Sequence, residues 1–217
     1  MIGMVIALNT EANGILKLLT NKTQSTLGDK KIFKGKLFDK EVVIIVSGIG
    51  KVNASLSTQY LIDKYPITHI VNIGTCGGVE SSLKIGEFYQ VNDCCQPDFD
   101  VTEIDDVEIG YIQDYDRVYF KTHNIDIDGL EKKRLATTDK FSNKEEFINQ
   151  LIKMKVDFRD MEGCAIAQVC TSNNVPLIMA KGITDIYANG NGKEFYENLN
   201  TVCSKIPSIV KSIISKL

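Results

Sequence analysis

An apolar run passes directly into glycines in the segment His-Ile-Val-Asn-Ile-Gly-Thr-Cys-Gly-Gly at positions 69–78. Positions 69–74 form a largely apolar run of strand length, which ends in a glycine-rich turn at 74–78. The turn matches neither the G-x-G-x-x-G pattern nor the phosphate-binding P-loop. A nucleotide-type ligand is therefore one alternative for this turn, and a purely structural turn is the other.

Strand and helix patterns alternate on both sides of this stretch. Helices are expected at 52–65, 143–151, 162–171 and 202–217, and one more after position 8, capped by Asn9 or Thr10. The acidic segment 102–132 has no clean period and is expected to form surface loop. The alternation predicts an α/β fold, with a single domain over 1–217 built as three α/β/α layers around a central mixed sheet. Further strands are expected at 2–8, 31–38, 41–47, 86–91, 134–138, 156–160 and 177–184, the second and third joined as a hairpin at Asp39 and Lys40.

The composition gives no reason to expect a nucleic acid or a membrane as partner. The 217 residues can bury one substantial core, since 43% of them are hydrophobic. A net charge of −3 and a pI near 5.5 provide no attraction for a phosphate backbone or an anionic bilayer. The apolar runs are strand-sized, and Met1 leads into the first one without a charged leader. We therefore expect a cytoplasmic protein.

Cysteine and histidine usage argues against a metal enzyme. None of the six cysteines stands in the C-x-x-C spacing of a zinc ribbon or a redox pair. Only two histidines occur, His69 and His123, so neither a histidine-based zinc hydrolase nor a Ser-His-Asp triad is expected. The sequence predicts no metal and no cofactor.

Polar residues follow the apolar runs at four points of the chain. Ligands of α/β folds bind beyond the carboxyl ends of strands, where converging carboxylates supply a general acid and a general base. The same residue types also serve as helix caps and dipole partners, and both interpretations stay open for Asp160 and Glu162. The four points are Glu11, Thr75, the segment 160–162 and Asp185.

Five segments, in chain order, resemble signature segments of the 5'-methylthioadenosine/S-adenosylhomocysteine nucleosidases, relatives of the purine nucleoside and uridine phosphorylases. Together they extend over nearly the whole chain. The resemblance implies a nucleoside phosphorylase-like fold, a homodimer, and hydrolysis of the bond between adenine and a 5'-substituted ribose. The segments are Ser-Gly-Ile-Gly-Lys-Val-Asn-Ala at 47–54, Asn-Ile-Gly-Thr-Cys-Gly-Gly at 72–78, Asp-Phe-Asp-Val-Thr at 98–102, Met-Glu-Gly-Cys-Ala-Ile-Ala at 161–167 and Gly-Ile-Thr-Asp at 182–185.

The resemblance implies roles for three carboxylates. Glu11 matches the acid that orients and deprotonates the attacking water, and Asp185 matches the acid that protonates N7 of the leaving adenine. Loss of the purine leaves an oxocarbenium-like sugar, which a nearby carboxylate stabilises while N7 protonation relieves charge on the base. Glu162 matches the residue that holds the ribose hydroxyls through a charge-assisted hydrogen bond.

Other residues are implied to line the substrate pocket. Met161 matches a residue packed on the ribose and Phe141 a ring stacked on adenine, although ordinary core packing is an alternative for both. Thr75 stands where the family has a pocket serine. The implied substrate-binding residues are thus Glu162, Met161, Phe141, Thr75, Ile49, Val101 and Phe195.

The chain departs from the family pattern near the 5' end of the substrate. Ile104 and Asp106 stand where aromatic residues help to enclose the 5' group, some of them reaching the partner subunit. Smaller or more polar 5' groups are therefore predicted to compete with methylthio. Asp160 stands where the family has a glutamate at the start of the Met-Glu motif. Phe195 matches the aromatic residue of the loop, late in the chain, that covers the 5' pocket.

Two alternatives to hydrolysis are phosphorolysis and nucleoside binding without catalysis. Phosphorolysis requires a phosphate site, for which the planar fork of arginine is best suited. Lys51 is a candidate point charge, and Asn72 stands near one of the two places where the phosphorylases carry arginine. The arginines of this chain are Arg117, Arg134 and Arg159, and none of them stands at either of the two places where the phosphorylases carry arginine. Water is therefore the predicted nucleophile.

Overall fold

The computed structural model describes residues 1–127, 129–187 and 193–217. No helix within these ranges is long and apolar enough to cross a membrane. The helices there are α1 (Asn9–Leu18), α2 (Lys51–Lys64), α3 (Glu145–Lys153), α4 (Gly163–Ser172) and α5 (Lys193–Ser215). The strands are β1 (Ile2–Ile6), β2 (Thr20–Leu27), β3 (Lys30–Leu37), β4 (Lys40–Val46), β5 (His69–Gly78), β6 (Phe88–Cys95), β7 (Phe120–Lys121), β8 (Lys132–Thr137), β9 (Phe158–Asp160) and β10 (Leu177–Ile186).

The strands form one mixed sheet in the order β10-β6-β8-β9-β5-β1-β4-β3-β2, with β7 paired to β6. β1 runs parallel to β4 and β5, and β5 runs parallel to β10. Because β10 also pairs antiparallel with β6, the strands β5, β10, β6, β8 and β9 close into a ring. β9 runs antiparallel to β5 and parallel to β8. The closure places β9 and the carboxyl-terminal halves of β5 and β10 side by side.

Helices cover both faces of the sheet. Successive side chains of a strand point to opposite faces. Met4 of β1 accordingly packs in a cluster with Ile15 of α1, whereas its neighbour Val5 packs with Ala54 of α2 and Ile166 of α4. The predicted three-layer α/β/α fold with a central mixed sheet is confirmed.

β5 extends further than the apolar run predicts. The segment 74–78, expected to be a turn, continues the strand to Gly78. Pairing explains the extension, because β10 follows β5 as far as Gly78 and β9 hydrogen-bonds to it at Gly77 and Gly78. The functional residues of this segment therefore lie within the sheet.

Other differences have local causes. β2 was not expected, because its side chains are polar and almost entirely exposed; as the edge strand it is held by its ladder with β3. The expected cap of α1 by Asn9 or Thr10 is wrong, since Leu8 is the N-cap residue and donates its N–H to the Glu11 carboxylate at 3.0 Å. The acidic segment 102–132 contains β7 and a 3-10 turn at Gln113–Tyr115. α5 begins nine residues before the expected position 202.

Candidate active site

A cavity of about 390 Å³ opens beyond the carboxyl ends of β1 and β4 and along the carboxyl-terminal parts of β5 and β10. Its size is within the range of small-molecule sites. The loops after β1 and β4 contribute to it from one side, and β9 with the segment after it contributes from the other. It is lined by Ala7, Leu8, Glu11, Ile49, Thr75, Cys76, Gly77, Lys140, Phe141, Arg159, Asp160, Met161, Glu162, Asp185, Phe195 and Tyr196.

The Glu11 carboxylate is buried and held by three hydrogen bonds. Its Oε1 accepts from the backbone N–H of Thr75 at 2.7 Å and from the Thr75 hydroxyl at 2.9 Å, and its Oε2 accepts from the Leu8 N–H. Burial raises the pKa of Glu11, while the charge of Lys181 and these hydrogen bonds oppose the rise. A Cβ at Gly74 would lie 2.9 Å from Oε1, so the glycine makes room for the carboxylate. The result is an oriented, desolvated carboxylate.

Asp185 is buried on β10, on the other side of β5 from the Glu11 helix. Its Oδ1 accepts a hydrogen bond from the Thr184 hydroxyl at 2.8 Å. Burial raises the pKa of Asp185, whereas the Thr184 hydrogen bond and the charge of Arg159 lower it and Glu194 raises it. The net rise favours a protonated carboxyl, which is the form that a general acid requires.

A buried ion pair joins the cavity-lining Asp160 to Lys181 of β10. Lys181 Nζ is 2.7 Å from Asp160 Oδ2, and both side chains are fully enclosed. Asp160 Oδ1 also accepts from the Thr137 hydroxyl at 2.6 Å, and the Gly163 N–H donates to Oδ2 at 2.9 Å. Burial alone would lower the pKa of Lys181, but Asp160, Glu162 and Glu11 raise it above its ordinary value. The buried ammonium therefore stays charged among three carboxylates.

Glu162 connects the cavity to the amino end of α2. Its Oε1 accepts from the Gly50 N–H at 2.8 Å. Burial and the neighbouring Asp160 raise the pKa of Glu162 to about 7, against the lowering effect of Lys181. The next N–H, that of Lys51, donates to Asp139 at 2.9 Å, and the Lys51 ammonium pairs with Asp98 at 2.8 Å. Carboxylates of the protein thus occupy both N–H groups and the nearby cation.

The described part of the chain offers no evident metal ligand set. All six cysteines are buried free thiols. Within 1–127, 129–187 and 193–217, no group of three His, Cys, Asp or Glu residues is arranged to hold a metal ion.

The structure brings most of the sequence-predicted residues together. Val101 is the exception, because it lines a second cavity of about 370 Å³ together with Asp106. Ile104 is 82% exposed and lines neither cavity. The residues that share the first cavity are Glu11, Asp185, Glu162, Met161, Phe141, Thr75, Ile49 and Phe195.

Sequence reasoning gave no role in the site to three basic residues. Lys140 and Arg159 line the cavity, and Lys181 pairs with the lining residue Asp160. Lys181 stands in the middle of the apolar run of β10, and Arg159 in the short strand β9. Arg159 is buried and donates to the Ser142 carbonyl and to Asn143 Oδ1, and its guanidinium lies 5.1 Å from the centre of the Phe141 ring. A lone basic residue inside an apolar strand requires a buried anion nearby, and this was the available signal.

The phosphorylase superfamily model matches residues 1–215. The chain belongs to this superfamily. The 5'-methylthioadenosine/S-adenosylhomocysteine nucleosidase of Buchnera aphidicola subsp. Acyrthosiphon pisum is 33% identical over 228 residues, which cover 100% of this chain and 98% of the relative. The nucleosidase of the same description from Staphylococcus haemolyticus is 32% identical over 231 residues and is covered completely, as is this chain. Within the superfamily, the chain is therefore a member of the nucleosidase family.

A solved nucleosidase of this family agrees with the fold described above. The enzyme of Colwellia psychrerythraea 34H, in complex with adenine, has a TM-score of 0.90 at 27% identity, covering 100% of this chain and 95% of its own. The family resemblance of the five sequence segments is confirmed by these matches.

Proposed function

We propose that the chain hydrolyses the N-glycosidic bond of adenine nucleosides that carry a 5' substituent, such as 5'-methylthioadenosine and S-adenosylhomocysteine. The observation that carries the proposal is the pair of buried carboxylates, Glu11 and Asp185, on either side of β5 in one cavity. The names of the relatives support the substrate class. The products are free adenine and a free 5-substituted ribose.

In this proposal the two carboxylates have opposite tasks. Glu11, fixed by Thr75 and Leu8, orients a water molecule and takes its proton as the water attacks C1'. Asp185 gives its proton to N7, so that the electrons of the breaking C1'–N9 bond are accepted by a protonated purine. Glu162 accepts hydrogen bonds from the ribose hydroxyls. Phe141, half-exposed at the mouth of the cavity, packs on the adenine ring.

Water rather than phosphate is the proposed nucleophile. A helix N-terminus binds anions through its free N–H groups. At α2 those of Gly50 and Lys51 already donate to Glu162 and Asp139, and the Lys51 side chain pairs with Asp98. A phosphate there would have to displace carboxylates. Among the described residues lining the cavity, the one arginine is Arg159, which lies beside Asp185 rather than beside Glu11.

We further propose a homodimer, formed through an exposed apolar face at the start of α2. Ile49 is 52%, Val52 79% and Leu56 52% exposed, and residues four apart share one side of a helix. Ile49 also lines the cavity, so the interface would adjoin the site. Contact between Val101 and substrate, which the resemblance implies, would then come from the second subunit.

A substrate panel tests the proposed activity. The protein is incubated with adenosine, methylthioadenosine, S-adenosylhomocysteine, inosine and uridine, and the products are identified by chromatography. Release of adenine from the 5'-substituted adenine nucleosides is expected, and Glu11→Gln should lower its rate without unfolding the protein. Tight binding of adenine nucleosides without turnover would make the chain a binding protein and contradict the proposal.

A further inference from the structure

Arg159 and Asp185 flank a single glycine of β5. Gly77 is the register partner of Arg159 on β9 and of Asp185 on β10. Side chains at partnered positions of adjacent strands point to the same face of the sheet. With no side chain on Gly77 between them, the guanidinium and the carboxyl face each other across a gap. A Cβ placed on Gly77 would lie 2.8 Å from Asp185 Oδ2 and 3.4 Å from Arg159 Nε.

One nitrogen of the Arg159 guanidinium is buried without a hydrogen-bond partner among the described residues. The two terminal nitrogens donate to the Ser142 carbonyl and to Asn143 Oδ1, which fix the plane of the group. The unpaired nitrogen is Nε. Leaving a buried N–H unpaired costs free energy, because the group has lost its hydrogen bonds to water and gained none in the protein. A Cβ on Gly77 would contact both this nitrogen and Asp185 Oδ2, so the two atoms face the same space over the glycine, while Oδ1 is bound by Thr184.

We propose that Arg159 is a positioning residue of the reaction, whose Nε–H receives the Asp185 carboxylate as it forms during proton transfer to the purine. The inference rests on the proposed function, because it assumes that Asp185 is the general acid. Before the transfer Asp185 is a neutral carboxyl and gains little from the guanidinium. When its O–H bond breaks and the N7–H bond forms, the charge left on Oδ2 is met by a fixed, already charged donor.

Such an arrangement favours the transition state over the ground state. A donor aimed at the place where charge develops lowers the barrier, and its orientation does not have to be established during the reaction. The other groups that act on Asp185 do not perform this task. Thr184 binds Oδ1, Glu194 of α5 is an acid, and Cys76 of β5 is a fully buried thiol whose pKa burial raises well above its ordinary value. Among the described residues, Arg159 is the cation whose charge lowers the pKa of Asp185.

A double-mutant cycle tests whether Arg159 acts through Asp185. Single-turnover rates with methylthioadenosine are measured for the wild type, Arg159→Met, Asp185→Asn and the double variant. Arg159→Met should lower the rate roughly tenfold or more in the wild-type background and have little effect in the Asp185→Asn background. Arg134→Met is the matched control, because Arg134 pairs with a carboxylate, Asp93, outside the cavity. If Arg159→Met does not fold, Arg159→Gln replaces it in the same cycle.

The pH profile distinguishes this role from a purely structural one. Because the charge of Arg159 lowers the pKa of Asp185, its removal should move the basic limb of the rate profile to higher pH while the maximal rate falls. Arg159→Lys, which keeps the charge, should recover part of both effects. Equal losses from Arg159→Met in both backgrounds, or a basic limb that does not move, would overturn the inference. A fully active Asp185→Asn protein would instead refute the proposed general acid.

Discussion

Three carboxylates and a single ammonium lie close together at the floor of the site. Glu11, Asp160 and Glu162 surround Lys181, and the direct ion pair goes to Asp160. Burial raises the pKa of Glu11 and Glu162, while the charge of Lys181 and hydrogen bonds from backbone N–H groups oppose the rise. The excess of negative charge suits a cavity in which a cationic sugar develops. It also makes the stability of the folded protein depend on pH.

Glu162→Gln should therefore stabilise the protein while it lowers activity. The pKa of Glu162 rises from 4.5 to about 7 on folding, so its contribution to stability is present below pH 4.5 and is lost as pH rises through about 7. Glutamine keeps an acceptor for the Gly50 N–H but carries no charge. Above pH 7 the variant should exceed the wild type in unfolding free energy by on the order of 1 kcal/mol. Urea unfolding at pH 5 and pH 8 measures this, and an equal difference at both values would contradict it.

Asp185→Asn should remove the proton donor and preserve the fold. General acid catalysis contributes on the order of 10²–10⁴ in rate, so kcat should fall by such a factor while KM changes little. Asp157→Asn is the control, since Asp157 accepts the Arg134 N–H outside the cavity. A variant with near wild-type kcat for methylthioadenosine would remove Asp185 from this role.

At the level of elements, two glycines of β5 each make room for one of the proposed catalytic carboxylates. A Cβ on Gly74 would meet Glu11 Oε1 at 2.9 Å, and one on Gly77 would meet Asp185 Oδ2 at 2.8 Å. Gly78, the next residue, faces the apolar side chains of Ile186 and Leu83 at 3.3 Å instead. Gly74 and Gly77 therefore make room for carboxylates, whereas Gly78 makes room for apolar side chains.

Gly74→Ala and Gly77→Ala should each lower kcat more than tenfold, because an ångström of displacement of a catalytic group costs about 10² in rate. Overpacking should also cost about 1–3 kcal/mol of stability. Gly78→Ala is expected to show the stability loss without the comparable loss of kcat. Steady-state kinetics and thermal unfolding of the three variants test this, and equal kinetic losses in all three would argue against it.

Hydrophobic periodicity predicts those helices and strands in which the apolar side chains are the buried ones. The central strand at 2–8 and the helix at 52–65 were found close to their expected bounds, as β1 and α2. β2 could not be predicted, since only its backbone pairing with β3 holds its exposed residues. The extension of β5 through its glycines could not be predicted either, because it depends on pairing with β9 and β10, which lie far along the chain.

In the site, too, some residues are predictable from the local sequence pattern and others only from strand pairing. Glu11 and Asp185 were predictable because each lies near the end of an apolar run, where polar residues serve ligands. Lys181 and Arg159 lie within strands, and their importance depends on the register that aligns them with Asp160 and Gly77. That register is a property of the assembled sheet.

For the whole molecule, the apolar face of α2 predicts association. Val52→Asp combined with Leu56→Asp should convert a dimer into a monomer, because both side chains are more than half exposed in the single chain. Sedimentation equilibrium measures the mass, and Lys64→Asp, at the other end of α2, is the control for added charge. A wild-type protein that sediments as a monomer at all concentrations would contradict the proposed dimer.

The proposed reaction uses water, not phosphate, as the nucleophile that attacks the ribose of an adenine nucleoside. It is tested most directly by following methylthioadenosine turnover at increasing phosphate concentrations, with adenine measured by absorbance and phosphate esters by ³¹P NMR. We predict stoichiometric adenine and free 5-methylthioribose, at a rate that does not rise with phosphate, and no new phosphorus signal. A rate that rises with phosphate, together with a ribose-1-phosphate signal, would contradict the account.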